Sequence, residues 1–328
     1  PNQFTRALVC LDGENGAILW VCEGLTGSAK GRSRTVTHAS ATPATDGKRV
    51  FAYFGQDGLM CANIEGKLLW KKTEPMFSGQ YGVGTSPVVK DNILVIVRDV
   101  RESEPLPSSI IAFDCATGKR IWERERKSHE EYAAYGTPLV RSLNGQQAVI
   151  VHGWHDIKAY RLETGEELWS YPVTHEGKHL VASLTCDDDR LYVTGTNRVR
   201  ALDLSKLGTG DDPLVWSSPI AGEKSSTPVV VDGLMFLATE SGMAFCLDSQ
   251  TGEVLWKERL RGRYYSSVVA MADFVLFTNE SGQTTVVAAD REFRKLATNT
   301  LDESVYASFA PAGGRLFART TKYLYCLQ

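Results

Sequence analysis

One ten-residue stretch constrains this chain more than any other: Leu247-Asp248-Ser249-Gln250-Thr251-Gly252-Glu253-Val254-Leu255-Trp256. It recurs as Phe113-Asp114-Cys115-Ala116-Thr117-Gly118 ending at Trp122, as Leu11-Asp12-Gly13-Glu14-Asn15-Gly16 ending at Trp20, and as Arg161-Leu162-Glu163-Thr164-Gly165 ending at Trp169. In all four copies the Trp lies eight residues after the Asp or Arg161 position. Looser copies end at Trp70 and Trp216. Each copy reads as an apolar strand, a tight turn and a second short strand. The Asp can cap amides ahead of it and the Gly can take positive φ. The unit is a β-hairpin with an aromatic anchor, Trp20, Trp70, Trp122, Trp169, Trp216 or Trp256, at its outer end.

Between the hairpins a second element repeats. Segments that open on small residues, Ala39–Gly47, Gly84–Val89, Tyr135–Val140, Val181–Leu184, Ser225–Val230, Tyr265–Val269 and Tyr306–Phe309, each precede an apolar run. Successive anchor Trp residues are 50, 52, 47, 47 and 40 residues apart. Four short strands in a unit of that length is the signature of a β-propeller blade. The small-residue strand should be innermost, where blades converge. The fold class is therefore all-β: a β-propeller of four-stranded antiparallel blades in a single domain over 1–328. There are seven innermost-type strands and six complete blades. The N-terminal hairpin lacks inner strands and the last blade lacks its outermost one. Both fragments contain the same third strand, which favours eight blades with incomplete terminal ones; seven is the alternative. Leu296 stands where the sixth complete blade would carry its Trp, so that outer hairpin should be looser.

Composition removes several function classes. The 328 residues are 43% hydrophobic and 23% charged, with 36 basic and 39 acidic side chains, so no global field favours nucleic acid. No apolar run approaches the roughly 18 residues that span a bilayer. The chain opens at Pro1 as a trimmed sequence would, so compartment cannot be read from it. Of seven cysteines, Cys10, Cys61, Cys246 and Cys326 occupy one repeat position. Equivalent positions in different blades lie too far apart for a disulfide, which needs Cα atoms within about 7 Å. No C-x-x-C pair, phosphate loop, nucleophile elbow or dinucleotide fingerprint occurs. Asp187-Asp188-Asp189 reads as a solvated turn, and His152-Gly153-Trp154-His155-Asp156 as a polar turn with a packed Trp rather than a metal site.

The hairpin signature, Asp-x-x-Thr-Gly-x-x-x-Trp preceded by an apolar residue, resembles the repeat of pyrroloquinoline-quinone (PQQ)-like β-propellers from about residue 7 to 328. That family includes quinoprotein dehydrogenases and non-enzymatic relatives such as the BamB lipoprotein of the outer-membrane β-barrel assembly machinery. The dehydrogenase pattern has adjacent cysteines and a calcium set of Glu, Asn and Asp with a catalytic Asp; neither can be placed here. The resemblance implies a bacterial periplasm or cell envelope.

Loops joining one blade's outer strand to the next inner strand share one face of a propeller. Here they carry the candidate channel-rim binding residues Arg34, His38, Tyr81, His129, Tyr135, His179, Lys224, Arg263, Tyr264 and Tyr306. Loop 98–109, the longest insertion inside a blade, should project from the same face. The resulting expectation is a scaffold, acting as a monomer, that binds a protein or peptide partner, with no catalytic residues, metal or cofactor. The alternative is a quinone- or other small-anion-binding oxidoreductase using PQQ with calcium.

Overall fold

The computed structural model describes residues 3–28, 39–73, 84–173, 180–222 and 225–327. The chain divides into two compact units, Pro1–Thr174 and His175–Gln328. Among the described residues there is no α-helix, only a single turn of 3-10 helix at Gly55–Asp57.

The first unit opens with the hairpin β1 (Gln3–Leu11) and β2 (Ile18–Ser28), a two-stranded sheet. Three four-stranded antiparallel sheets follow. They are β3 (Ala44–Thr45) to β6 (Leu68–Lys72), β7 (Val88–Lys90) to β10 (Arg120–Glu125), and β11 (Leu139–Leu143) to β14 (Glu167–Pro172). The second unit holds β15 (Thr185–Cys186) to β18 (Leu214–Pro219), β19 (Val229–Val231) to β22 (Val254–Arg259) and β23 (Val269–Met271) to β26 (Lys295–Thr300). Last comes the three-stranded sheet β27 (Ala310–Ala312) to β29 (Leu324–Leu327). Every sheet keeps its strands in chain order, the meander expected of a blade.

The fold is an all-β propeller, and its blade count is seven rather than the favoured eight. Seven sheets contain an inner strand. The hairpin β1–β2 adds none, and β1 and β29 lie in different sheets. The hairpin is also longer than its sequence pattern suggests. β2 runs on through Gly24–Ser28, where Leu25 is buried and Arg6 opposite it pairs with Asp57 at 2.8 Å.

The second and third strands of the blades are near-continuous apolar runs because both their faces are covered. In β8 (Ile93–Arg98), Leu94 and Ile96 pack towards Phe51 and Leu59 of the preceding blade. Ile93, Val95 and Val97 pack towards Val149 and Tyr160 of the following one. Side chains alternate along a strand, so one strand feeds two cores. The second unit repeats this, with Phe236 and Leu237 of β20 (Leu234–Ala238) in different clusters.

The segments that open on small residues run into the inner strand at their ends, as at Val88 and Val229, while the small residues that open them precede it and tie adjacent blades. In the first unit the Thr42 amide donates to Ser86 Oγ at 3.0 Å, and the Ser86 amide to Thr137 Oγ1 at 3.0 Å. In the second, Ser183 donates to Thr227 Oγ1, Thr227 to Ser267 Oγ and Ser267 to Ser308 Oγ.

Candidate functional site

Antiparallel order gives each sheet two ends. At one end lie the Asp-x-x-Thr-Gly turns between third and fourth strands. At the other lie the connections between second and third strands and those leading to the next blade.

The turn end is committed to blade packing. Asp114 Oδ1 accepts from the Thr117 amide and hydroxyl, and Asp248 Oδ1 from the Gln250 and Thr251 amides. The Thr117 hydroxyl holds the Asp114 carboxyl below the usual carboxylate range, and the Arg291 guanidinium does the same for Asp248. Five of the anchor indoles then reach the turn of the next blade. Trp20 donates to Ile64 O, Trp70 to Cys115 O, Trp122 to Leu162 O, Trp216 to Ser249 O and Trp256 to Asp290 O. Trp122, Trp169, Trp216 and Trp256 are buried; Trp20 and Trp70 are half-buried. The turn glycines lie flat against these rings. A Cβ on Gly66, Gly118, Gly165 or Gly252 would come within 2.5–2.7 Å of the indole of Trp20, Trp70, Trp122 or Trp216. The motif glycine therefore serves twice, for its positive φ and for the ring it must admit.

The other end departs from the repeat. In the first unit the insertion between β8 and β9 (Ser109–Asp114), expected to project here, is bound to the segment after β10. Arg101 and His129 form a parallel bridge, and the Glu102 amide donates to His129 O at 3.0 Å. Ser108 and Ser128 hydroxyls meet at 2.9 Å, and the Arg126 amide donates to Ser108 O. Beneath them Arg126 pairs with Asp99 at 3.1 Å, with side chains 2% and 3% exposed. The Ala134 amide donates to the other Asp99 oxygen. Burial pushes the Asp99 carboxyl up, against the pull of Arg126. Gly153 makes room for that guanidinium, since a Cβ there would sit 2.1 Å from Arg126 Nη2.

Four rings gather above this pair. His129 stacks on Tyr132 at 5.1 Å and lies 4.8 Å from Trp154 and 5.7 Å from His155; Tyr132 is 5.1 Å from Trp154. His129 Nδ1 accepts from the Glu131 and Tyr132 amides, and His155 Nε2 lies 3.2 Å from Ser128 O. His152 is buried at the end of β12 (Gln146–His152), and His155 lies against the His129 ring.

In the second unit Arg263 is exposed and its guanidinium lies 5.9 Å from the Tyr265 ring, which is 6.0 Å from Tyr306. Tyr264, next to Arg263, is 1% exposed. Its ring fills the core between blades, its hydroxyl donates to Arg261 O, and burial pushes that hydroxyl up to about 12. Tyr135 is likewise buried, against Gly84 and the cluster around Phe51. Of the candidate rim residues, Arg34, His38, Tyr81, His179 and Lys224 lie outside the described residues. His129, Arg263 and Tyr306 are the ones with accessible surface. Asp99, Arg126 and the ring partners of His129 were not singled out from sequence together; the unusual length of the insertion was the available signal.

Among the described residues no group of three or more His, Cys, Asp or Glu could hold a metal ion. Asp187 is spent locally, accepting from the Asp189 and Arg190 amides and from the Tyr192 hydroxyl. The seven cysteines are free thiols and none adjoins another in sequence. The cysteine spacing does not supply the paired-cysteine arrangement of a quinoprotein site.

Known proteins place the architecture. BamB of Burkholderia pseudomallei is 26% identical over 271 residues, 78% of this chain and 64% of that protein. The chain spans less than two thirds of the length of each curated relative it matches. The crystal structure of BamB from Moraxella catarrhalis matches with a TM-score of 0.72 at 14% identity, over 95% of this chain and 88% of that one. A europium-containing methanol dehydrogenase matches with a TM-score of 0.73 at 12% identity, over 96% and 79%. At such identities the two structures speak for the fold alone. The family described as outer membrane protein assembly factor BamB matches residues 5–258 and 195–304, and the chain belongs to that family.

Proposed function

We propose that this chain is a non-enzymatic scaffold that binds a protein or peptide partner through the loop end of its blades, around the channel of the propeller. The proposal takes residues 1–328 as one domain, acting as a monomer in the bacterial cell envelope, without a cofactor and without a nucleic-acid partner. One observation carries it: the turn end is consumed by blade packing, whereas the loop end carries the departures from the repeat. The relatives named as outer membrane protein assembly factors support a role among proteins. Exposed Arg263 and half-buried His129 and Tyr306 supply the polar-aromatic surface that protein contacts favour. Arg34, His38, Tyr81, His179 and Lys224 belong to the same proposed rim.

The test is capture of partners from envelope extract by the parent and by Arg263→Glu and Tyr306→Ala variants, with Glu253→Gln at the turn end as control. The rim variants should lose a captured partner at least tenfold while the control keeps it. Equal capture by all of them overturns the loop-end reading.

The likeness to a methanol dehydrogenase fold keeps a second reading in view, a quinone- or small-anion-binding oxidoreductase. A bound chromophore after adding the quinone and calcium, with alcohol- or sugar-dependent dye reduction, would establish it over the scaffold.

A further inference from the structure

Within the first unit, one surface differs in kind from the rest of the loop end. In other blades the second and third strands are joined by short turns, such as the one between β20 and β21 (Met243–Asp248). Here residues 99–108 intervene, and the fold holds them with a buried ion pair. Burying two charges costs several kcal/mol per ion unless geometry repays it, so such a pair marks a position whose shape matters. The pair adjoins the segments that carry the ring cluster: Arg126 lies against Gly153, next to Trp154, and Asp99 accepts from the Ala134 amide, two residues after Tyr132. Trp154 forms the buried floor, and His129, Tyr132 and His155 are half-buried around it.

Among the described residues on the segments that carry the rings, Glu102, Glu130 and Glu131 are exposed, as is the cation Lys127, and the Glu131 carboxylate accepts from the Tyr132 hydroxyl. The other charged groups nearby are spent on each other: Arg101 with Glu104, Arg126 with Asp99, and Lys158 with Glu167 and Asp156. Aromatic faces bordered by carboxylates attract a planar cation. An arginyl guanidinium stacks on Tyr, Trp or His rings and donates in parallel to carboxylates, and such a contact gains when partly desolvated. A prealigned aromatic cluster loses little side-chain entropy on binding.

We propose that the His129–Tyr132–Trp154–His155 platform is a docking site for an extended, arginine-containing protein segment, with a guanidinium stacked on the rings and Glu130, Glu131 and Glu102 as its counter-charges. This rests on the loop-end scaffold reading and names the partner chemistry at one corner of it. The Asp99–Arg126 pair is a positioning element that touches no ligand.

The probe is a fluorescein-labelled nine-residue peptide of Gly and Ser with Arg-Tyr-Arg at its centre, measured by fluorescence polarisation against the full chain. Control peptides carry Glu in place of both Arg, or Lys in place of both. The Arg peptide should bind, the Lys peptide more weakly and the Glu peptide not at all. Tyr132→Ala and the pair Glu130→Lys with Glu131→Lys should each weaken Arg-peptide binding at least tenfold, while Tyr132→Phe, which keeps the stack, and Arg263→Glu in the other unit should not. Thermal melts confirm that each variant folds. Absence of Arg-peptide binding, or binding unchanged in Tyr132→Ala and in the charge-reversed pair, overturns the assignment. If the Arg peptide fails while envelope capture still depends on Arg263 and Tyr306, this site falls and the scaffold reading stands; if capture is equally indifferent to the rim, both fall.

Discussion

The turn glycine offers a sharp test of how the blades hold together. Gly165 has φ +69° and its missing Cβ would lie 2.6 Å from the Trp122 ring; Gly16, at the same motif position, has φ +75° and nothing within 4 Å. Alanine at either site has to adopt a left-handed conformation, which costs an L-residue about 1–2 kcal/mol. Only at Gly165 must the methyl also displace a ring. Trp122 is 6% exposed and its Nε1 is tied to Leu162 O at 2.9 Å, so the ring has little room to retreat. Overpacking of that kind adds about 1–3 kcal/mol. Gly165→Ala should therefore cost about 2–5 kcal/mol and Gly16→Ala about 1–2 kcal/mol, the sum of the same two contributions with and without the clash. Equilibrium urea unfolding reads the difference as a shifted midpoint at constant slope. The decisive comparison is a double-mutant cycle. In a Trp122→Ala background the clash is gone, and Gly165→Ala should fall back to the conformational cost alone, a coupling of about 1–3 kcal/mol. Equal losses at Gly16 and Gly165, or no coupling to Trp122, would refute the claim that the glycine is there for the indole.

Two further outcomes follow from the same end of the blades. Trp256 is buried against Phe236 and Phe293, so Trp256→Ala should cost about 3–5 kcal/mol; Leu296 is 46% exposed on the fully exposed strand β26, and Leu296→Ala should stay within about 0.5 kcal/mol, both read by thermal melts in one buffer. The Arg291 contact depresses the Asp248 carboxyl, so its stabilisation is complete above the unfolded value near 3.9 and is lost as pH falls through the folded value. Arg291 is largely exposed, which keeps the effect small; Asp248→Asn should be slightly less stable than the parent at pH 7, with the gap closing as pH falls through the folded value, and a gap that widens on acidification contradicts the assignment.

How much of this was legible in the sequence depends on whether a feature is written within one repeat or between two. The Asp-x-x-Thr-Gly hairpin is local: the carboxylate caps its own turn, so residues within a few positions suffice to specify it. Blade boundaries followed from the spacing of Trp20 through Trp256. The hydroxyl ties were only half visible. The small residues at 84–87 and 225–228 were legible as inner elements, but Ser86 and Thr227 act on neighbouring blades through hydrogen bonds that no single repeat contains. Tyr264 was misleading for a related reason. Its place in a loop beside Arg263 suggests exposure, yet the ring packs with Phe236 and Val275, which belong to two different blades.

The platform was the least legible part. His129 and His155 are separated by a complete inner hairpin, and nothing in either segment announces the other. The Asp99–Arg126 pair unites an insertion with an inter-blade segment across the outer hairpin β9–β10. What the sequence did show was that loop 98–109 breaks a repeat kept elsewhere, without showing how the break is compensated. A repeat fixes the backbone of each unit and the packing of its neighbours, so residues that obey it are largely accounted for by the fold. Partner recognition requires positions that differ from blade to blade, and a ring of similar blades can acquire them only where connections are free to vary. In this chain the turns are committed to indoles and the strands to two cores each. The loop end is where difference can accumulate without dismantling a blade, and the largest described difference there is the insertion that builds the ring cluster.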